Sequence, residues 1–540
     1  MEKIKALLDS IYPFYPVLFI LGSGIITVFF GMSGRKPVKL FIIILTACSI
    51  AAGIFINIYS YNLKGEFSNF LFNFSGLQVA LTSMVLFSAL NALLFLCLFN
   101  FRKDNLIKII LMFDLCILSF IFFIPSVNFI VMFSSLTFFI TGVFQLVTSL
   151  NRGVFLSSMP EYTIKNNIIR FFLLSALSLL LMFLGFSLLF GATDLKTFSQ
   201  VLESDFKNTS LIKTGFFIIL LSAFLFSGFV PLHSPYMKMQ KRIEKSSTSI
   251  IWLLYILAGI ILLLKLKDIF FFFLDSDNKY IIIALLVVSA ACVFAGNLGA
   301  LKTTSIRRIF SFFVLSILGT SVLGFVQYGL GLFDGTTVLK YIISNCILLG
   351  VTYMPLMLVF YSLETNGDDS LERLRGFGKR NIYLSINMVI IMLSLSGLPG
   401  TYGYLSRMSL LSVFLSDYRT IIDQSGGNFI SGLKISNMLV AFISWAFIAA
   451  NIIRLIVVIY GKEITKKDIY ATDLQSREVI ENSGTVKSKT VQGSAFIPVF
   501  IYIYVTIFTL LIVLTGVAGL LEILGLKTLF SGFSILSLNF

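Results

Sequence analysis

The chain has 540 residues, of which 57% are hydrophobic, only 12% are charged and 58 are phenylalanine. A soluble core does not need so much apolar surface, so composition excludes a soluble globular protein and indicates a polytopic membrane protein. The formal net charge of +15 would suit nucleic-acid binding in a soluble chain, but here the positive residues lie in loops, where they set the orientation of the spans.

Apolar runs separated by charged residues or by Gly, Pro and Asn predict an all-α fold with about fourteen transmembrane helices. An N-terminal segment, 1–105, holds three spans, at about 14–32, 38–58 and 76–100. The first run has no small-residue cleavage site, so we expect it to be retained as a helix. A first five-helix repeat, 106–275, has spans at about 106–124, 126–150, 166–190, 211–237 and 247–274.

A second five-helix repeat, 276–460, has spans at about 279–300, 306–330, 336–362, 381–417 and 434–460. A polar loop, 461–494, and a C-terminal transmembrane helix with a tail, 495–540, follow. Basic and acidic loops alternate along the chain, which supports this span count and predicts that both termini lie outside. Because each repeat has an odd number of spans, the two repeats are predicted to be inverted, as in secondary transporters.

Proline interrupts the fourth span of each repeat, at Pro231 and at Pro399. Proline inside a membrane helix removes a backbone donor and frees carbonyls that lipid cannot satisfy. We therefore expect protein or a water-filled cavity to surround each interruption. Paired interruptions in corresponding halves indicate an ion or substrate path.

Several motifs around these interruptions resemble the antiporter-like membrane subunits of respiratory complex I. Residues 170–176 and 188–194 resemble a signature of that family, and residues 230–234 (VPLHS) resemble its broken-helix PFHxW turn. Residues 306–311 are similar to its KRLLAYSS helix start, and residues 371–380, 393–399 and 403–407 resemble LRGLGRR, LSLAGIP and GFxxK. These motifs occur in family order between about residues 106 and 460.

The Gly-Ala-Thr ending of the sixth span, with Tyr341 and Gly350, most resembles the quinone-proximal type, called subunit N in bacteria and subunit 2 in mitochondria. This resemblance implies a proton channel with a line of ionisable groups at mid-membrane. The sequence departs from that pattern at four positions that the resemblance makes ionisable: Thr137, Phe226, Ile256 and Ile317. Only a cation in the twelfth span remains, as Arg407, and arginine does not release its proton.

Three residues are candidates for a remaining proton path: His233, Arg407 and Asp114. His233 is the only histidine and could shuttle protons, or its ring could cap carbonyls freed by Pro231. Arg407 could mark the end of a path or pair with a neighbouring subunit's acid, or it could extend toward the membrane interface. Asp114 lies in an apolar run, where an acid is a functional candidate by default, although no family motif covers it.

Other chemistry finds no support in the sequence. There is no phosphate-binding glycine loop, no CxxC metal spacing and no Ser/His/Asp arrangement, so we expect no catalytic residue, metal or bound cofactor in this chain. The five cysteines lie in apolar runs and are predicted to be buried. Lys265 and Arg454 lie near span ends and are predicted to be membrane-interface anchors.

The function predicted is that of a membrane-arm subunit of a proton-translocating NADH:quinone oxidoreductase, with a degenerate proton channel of its own. The resemblance implies that NADH, FMN, iron–sulfur clusters and quinone bind to partner subunits of the membrane arm and quinone module. The membrane would be a bacterial plasma membrane or a mitochondrial inner membrane. The alternatives are an Mrp-type cation/proton antiporter subunit and a structural paralogue in another membrane redox complex.

Overall fold

A computed structural model describes residues 14–31, 36–100, 105–151, 162–193, 197–203, 210–239, 245–275, 279–332, 334–363, 370–416, 429–461 and 499–523. The predicted polar loop lies outside the described residues from 462 onward, as does the predicted tail from 524 onward.

The first half of the chain is helical apart from one small hairpin of two strands. Its elements are α1 (Tyr15–Gly31), α2 (Lys36–Lys64), β1 (Phe67–Ser68), β2 (Asn73–Phe74), α3 (Gly76–Asn100), α4 (Leu106–Phe123), α5 (Phe129–Leu150), α6 (Tyr162–Thr193), α7 (Phe198–Glu203), α8 (Ser210–Ser227), α9 (Ser234–Met239), α10 (Lys245–Lys265) and α11 (Lys267–Asp275).

The second half is built in the same way from helices. Its elements are α12 (Lys279–Lys302), α13 (Ile306–Gly329), α14 (Gly335–Leu363), a 3-10 turn (Leu371–Leu374), α15 (Phe377–Arg380), α16 (Ile382–Ser396), α17 (Tyr402–Ser416), α18 (Phe429–Tyr460) and α19 (Val499–Ile523).

Within the described residues, ten helices are long and apolar enough to cross a membrane. The prediction of an all-α polytopic membrane protein is therefore confirmed, and the chain is an integral membrane protein. The number of fourteen spans, the inverted repeats and the segment boundaries stay predictions.

Local signals place several helix ends. The Asn128 side chain accepts a hydrogen bond from the Ile130 backbone N–H at 2.9 Å and so caps the start of α5. Ser305 caps α13 in the same way by accepting from Arg308 N–H. At the far end of α12, the Arg454 guanidinium donates to the carbonyls of Leu301 and Thr303. Arg454 is therefore a cap for another helix, and its role as an interface anchor stays a prediction.

The predicted span 247–274 is two helices, α10 and α11, separated by a turn at Leu266. Lys265 ends α10, and its Nζ donates to the backbone carbonyl of Ser126 in the α4–α5 connection. This lysine is thus bound to the protein backbone at a buried carbonyl. Its role as an interface anchor stays a prediction.

The centre of the bundle is formed by α13 and α14, whose spanning windows are 94% and 89% buried by the rest of the chain. Helix α10 packs against α3, α8 and α14, so it joins the first and second halves. The last helix, α19, packs against α14, α16 and α17. Gly516 of α19 lies so close to Thr401 that a side chain there would overlap its backbone.

One prediction about the cysteines is wrong. Cys116, Cys292 and Cys346 are buried as expected, whereas Cys48 on α2 is exposed and Cys97 is half-buried. The reason is that α2 packs mainly against α1 and α3, which leaves its opposite face open. An apolar run in a membrane protein predicts a lipid-compatible position, and a buried position does not follow from it.

Candidate functional site: two interrupted helices

The first interruption separates α8 from α9. Gly228 has a φ of +72° and donates its N–H to the Leu225 carbonyl at 3.3 Å, while Phe229 N–H bonds the Phe224 carbonyl at 3.1 Å. This pair of bonds is the Schellman arrangement that ends a helix, and it needs glycine because other residues rarely adopt such a φ. The peptide bond between Val230 and Pro231 is cis.

A tyrosine satisfies the carbonyls at this interruption. The Val230 N–H turns to the Sγ of Cys292 at 3.3 Å, so it does not bond the Phe226 carbonyl as it would in a continuous helix. The Tyr236 hydroxyl on α9 reaches back to that carbonyl, at 2.6 Å, and lies 2.8 Å from the Leu225 carbonyl. Tyr236 therefore has the capping role that the sequence offered to His233.

His233 itself lies between the two helices and is half-buried. Its backbone carbonyl accepts from Met237 N–H at 3.2 Å, which begins α9. Its Nδ1 is buried and makes no hydrogen bond within the described part of the chain. The group that bonds the Phe226 carbonyl is Tyr236 and not this imidazole.

A row of three hydroxyl groups leads from Tyr236 through Tyr255 to Ser175. The Tyr236 oxygen lies 3.2 Å from the Tyr255 oxygen, which lies 2.9 Å from the Ser175 Oγ. The side chain of Phe226, 1% exposed, stacks on the Tyr255 ring with centroids 4.7 Å apart. All these groups are uncharged at neutral pH.

A small cavity lies beside these rings. Its volume is about 20 Å³, room for a single water molecule. It is lined by Ser227, Gly228, Tyr236, Met237, Tyr255, Ile256, Gly259, Leu315 and Leu318. Ile256 is 6% exposed and faces this cavity, so two of the four departures from the family pattern, Phe226 and Ile256, lie at one place inside the bundle.

The other two departures from the family pattern form hydrogen bonds within their own helices. The Thr137 hydroxyl on α5 donates to the Ser134 carbonyl of its own helix at 2.7 Å. Ile317 on α13 is buried, and its carbonyl accepts from the hydroxyls of Thr320 and Ser321, each at 2.9 Å. Neither side chain supplies an exchangeable proton to the cavity.

The second interruption separates α16 from α17 and repeats the backbone pattern of the first. Gly397, with a φ of +81°, donates to the Ser394 carbonyl at 3.0 Å, and Leu398 N–H bonds the Leu393 carbonyl at 3.1 Å. Pro399 has no N–H to offer the Leu395 carbonyl, its partner in a continuous helix. The Arg407 guanidinium on α17 donates to that carbonyl instead.

Arg407 is held in place by its surroundings. Its aliphatic stem packs on Gly397, where any side chain would overlap it, and its guanidinium lies 5.8 Å from the centre of the Trp445 ring. It does not extend toward the membrane interface. The cation that the sequence singled out is therefore a cap of the interrupted helix.

A network of neutral side chains lies behind Arg407. Ser406 Oγ donates to Asn345 Oδ1 at 2.7 Å, and Asn345 Nδ2 donates to Ser321 Oγ at 3.2 Å. A second group joins Asn297 to Ser316 at 3.0 Å and Ser316 to Ser444 at 3.3 Å. Sequence reasoning missed these residues because amides and hydroxyls are common at contacts between membrane helices.

The structure brings neither prolyl ring inside the bundle: Pro231 and Pro399 are both exposed on the described chain. The freed carbonyls are the polar groups of each interruption, and Tyr236 and Arg407 satisfy them from the inner side. That protein or a water-filled cavity surrounds each interruption stays a prediction. Asp114 lies apart from both interruptions, on α4, which packs mainly against α5, α1 and α3.

No metal centre is formed by the described residues: they contain no group of three or more His, Cys, Asp or Glu side chains that could hold an ion.

Comparison with known proteins shows what the chain is similar to. The model of one family, described as "NADH:quinone oxidoreductase/Mrp antiporter, TM", matches residues 164–422. This segment contains both interruptions and is shorter than the stretch of about 106–460 over which we predicted the resemblance.

Curated relatives are named subunit N of NADH-quinone oxidoreductase. The protein from Neisseria gonorrhoeae is 24% identical over 253 residues, which is 46% of this chain and 50% of the relative. The subunit N 1 from Thermodesulfovibrio yellowstonii is 23% identical over 259 residues, 47% of this chain and 54% of the relative. The chain thus spans about half the length of these relatives.

Solved structures share the fold over nearly the whole chain. A chain of respiratory complex I from Thermus thermophilus aligns with a TM-score of 0.66 at 17% identity, covering 95% of this chain and 98% of that one. A chain of the Mrp complex from Dietzia sp. aligns with a TM-score of 0.72 at 15% identity, covering 95% of each. At these identities the likeness concerns the fold alone. Together with the match to the family model and the subunit N relatives, it shows that the chain is similar to the antiporter-type membrane subunits.

Proposed function

We propose that the chain is a membrane-arm subunit of a complex I-like, proton-translocating NADH:quinone oxidoreductase, in which its own proton path is degenerate. Similarity to subunit N proteins supports the assembly. One structural observation supports the degenerate path: Phe226 and Ile256 are both buried inside the bundle. Ile256 lines a cavity that has room for a single water molecule, and Phe226 stacks on Tyr255, which lines the same cavity.

Proton transfer through a protein needs groups that gain and lose a proton near working pH, joined by hydrogen bonds or water. At the first interruption the groups in line are the hydroxyls of Tyr236, Tyr255 and Ser175, which stay neutral there. The cavity beside them has room for a single water molecule. None of these three hydroxyls takes up a proton at neutral pH.

The second interruption also lacks a carrier. Arg407 keeps its proton at any working pH and already donates to the Leu395 carbonyl. The side chains behind it are amides and hydroxyls, which can orient water without taking up charge. The side chains named here around the second interruption are therefore polar without titrating near neutral pH.

The chain itself would do no redox chemistry under this proposal. NADH, FMN, iron–sulfur clusters and quinone would bind to partner subunits, and this chain would couple its neighbours mechanically within the membrane arm. The membrane would be a bacterial plasma membrane or a mitochondrial inner membrane.

Membership of the assembly is tested by purifying the chain from its native membrane in mild detergent through a tag. We expect it to bring down flavin- and iron–sulfur-containing subunits and an activity that oxidises NADH with a quinone acceptor. Co-purification with an assembly that exchanges sodium for protons and does not oxidise NADH would contradict the proposal and support the Mrp-type alternative.

The degenerate path is tested by restoring the three family residues together, Phe226→Lys, Ile256→Lys and Thr137→Glu. Proton uptake per NADH oxidised in sealed vesicles should rise above that of the parent complex. The matched triple Phe226→Met, Ile256→Met and Thr137→Gln changes side-chain shape at the same positions without adding charge, and it should leave the ratio unchanged. A parent complex that already reaches the ratio of homologues with intact lysines would overturn the proposal.

A further inference from the structure

Asp114 is the acid that the proposed function leaves unexplained. It lies in the middle of α4 and is 3% exposed, and neither of its carboxylate oxygens has a hydrogen-bond partner within the described residues. An unpaired carboxylate is expensive inside protein or lipid, because nothing there replaces its hydration. A position with no use for a carboxylate would be expected to hold an apolar residue.

The direction in which Asp114 points follows from its neighbours on the helix. Cys116 lies against α5, since a side-chain carbon at Gly142 would be 3.0 Å from its sulfur. Phe120 faces the same way, with its ring 4.6 Å from that of Phe139. Asp114 precedes Cys116 by two residues, which is about 200° around a helix of 3.6 residues per turn. It therefore faces away from α5, toward the N-terminal helices.

The depth of Asp114 can be read from a ring contact. Phe14 and Phe122 are 6.3 Å apart at the start of α1 and the end of α4, so these two helices run antiparallel. Ser23 lies nine residues from Phe14 and Asp114 eight residues from Phe122, so both are about 12–14 Å from that contact. Asp114 is thus level with the buried hydroxyls of Ser23 and Ser49, which are 3.1 Å apart.

Charged groups are scarce around this position. The helices that pack against α4 are α5, α1, α3 and α2. The sequences of α1, α3 and α5 contain no charged residue; their titratable side chains are Tyr15 and Cys97, and α4 itself adds Lys108 and Cys116. Helix α2 carries Cys48, Tyr59, Tyr61 and three lysines, Lys36, Lys39 and Lys64. Lys39 is the lysine nearest in sequence to Ser49, ten residues away, or about 15 Å along the helix.

We propose that Asp114 is a proton-binding site of the N-terminal helices, separate from the segment that matches the family and from both interruptions. The carboxyl is held as the neutral acid between α4 and the α1–α2 hydroxyls, and it exchanges its proton with water. A proton needs only the carboxyl oxygen itself, whereas a metal cation needs several oxygen ligands. The proposal does not depend on the proposed function.

Infrared spectroscopy of the full complex in membranes tests whether Asp114 is a protonated, exchanging acid. The difference between the parent and the Asp114→Asn variant should contain the carbonyl stretch of one carboxylic acid, and that band should shift when water is replaced by D₂O. A difference spectrum with only carboxylate bands, or an acid band that never shifts in D₂O, would overturn the proposal.

A second measurement needs no variant. A protonated carboxyl adds across a C=N bond of dicyclohexylcarbodiimide. The acyl group then moves from oxygen to nitrogen, so the product retains every atom of both reactants. We expect peptide mass spectrometry of the labelled parent complex to find this adduct on Asp114, with yields that fall as pH rises. Absence of the adduct would contradict the proposal, and protection by sodium chloride but not by choline chloride would replace the proton with a sodium ion.

Discussion

The two interrupted helices share one backbone arrangement but differ in the side chain that caps the freed carbonyl. Both end in a glycine of positive φ with the same pair of hydrogen bonds, at Gly228 and at Gly397. The freed carbonyl is then capped by a neutral phenol, Tyr236, in the first and by a permanent cation, Arg407, in the second. The comparison teaches that the geometry of a broken membrane helix can persist after the titratable groups around it have gone, because the backbone needs a donor and not a proton carrier.

The largest effect is expected from a methyl group at the second interruption. Gly403 begins α17 against the end of α16, where a side chain would overlap the carbonyl oxygen of Ser394. Both partners are backbone, so Gly403→Ala should destabilise by about 3 kcal/mol or more, and the protein should fail to accumulate in the membrane. Gly432→Ala is the matched control, since nothing lies within 4 Å of that position. Equal membrane levels of the two variants would contradict the close contact.

Next in size is the loss of the cationic cap. Arg407→Met leaves the Leu395 carbonyl without its donor and should cost about 1.5–3 kcal/mol, measured as a lower thermal unfolding midpoint of the purified protein. Arg407→Lys keeps a donor of shorter reach and should fall between the parent and the methionine variant. If Arg407 served an ion path instead, both variants would unfold like the parent while proton uptake fell.

A smaller effect is expected at the first interruption. Tyr236→Phe removes only the hydroxyl and leaves the Phe226 carbonyl unsatisfied, which should cost about 0.5–1.5 kcal/mol in the same assay. Tyr383→Phe is the control, because that hydroxyl bonds Thr506 at an exposed site. An equal shift of the unfolding midpoint in both variants would show that the capping bond stabilises the protein no more than the exposed bond does.

The smallest effect is expected from the only histidine. His233→Leu should leave the number of protons taken up per NADH oxidised unchanged, because its imidazole has no partner at Nδ1 and the groups beyond it are neutral. The NADH oxidation rate of the same vesicles verifies that the complex is assembled. A lower ratio at a normal oxidation rate would mean that protons do pass through this residue.

Much of the fold could be predicted from the sequence, since apolar runs of about 20 residues identify membrane helices directly. The turn at Leu266 between α10 and α11 could not, because neither proline nor glycine marks it. That Phe226 and Ile256 stand at positions where a proton channel would carry ionisable groups was accessible only through the family resemblance. The cap from Tyr236 was not predictable, since nothing in the sequence distinguishes it from a tyrosine at the membrane interface.

For Arg407 the sequence identified the residue but could not identify its hydrogen-bond partner. Its charge inside an apolar span marked it as important, but the residue type does not state what it bonds. Its partner, the Leu395 carbonyl, is fixed by the path of the chain around Gly397 and Pro399, which only the folded structure shows.

The position of Gly516 has a consequence for how the protein is made. Helix α19, the last one described, covers the turn at Thr401, more than a hundred residues earlier in the chain. During synthesis the second interruption therefore leaves the ribosome well before the helix that covers it. We expect insertion factors to retain this part of the nascent chain until α19 arrives, so the order of translation limits how early the second half can be released into lipid.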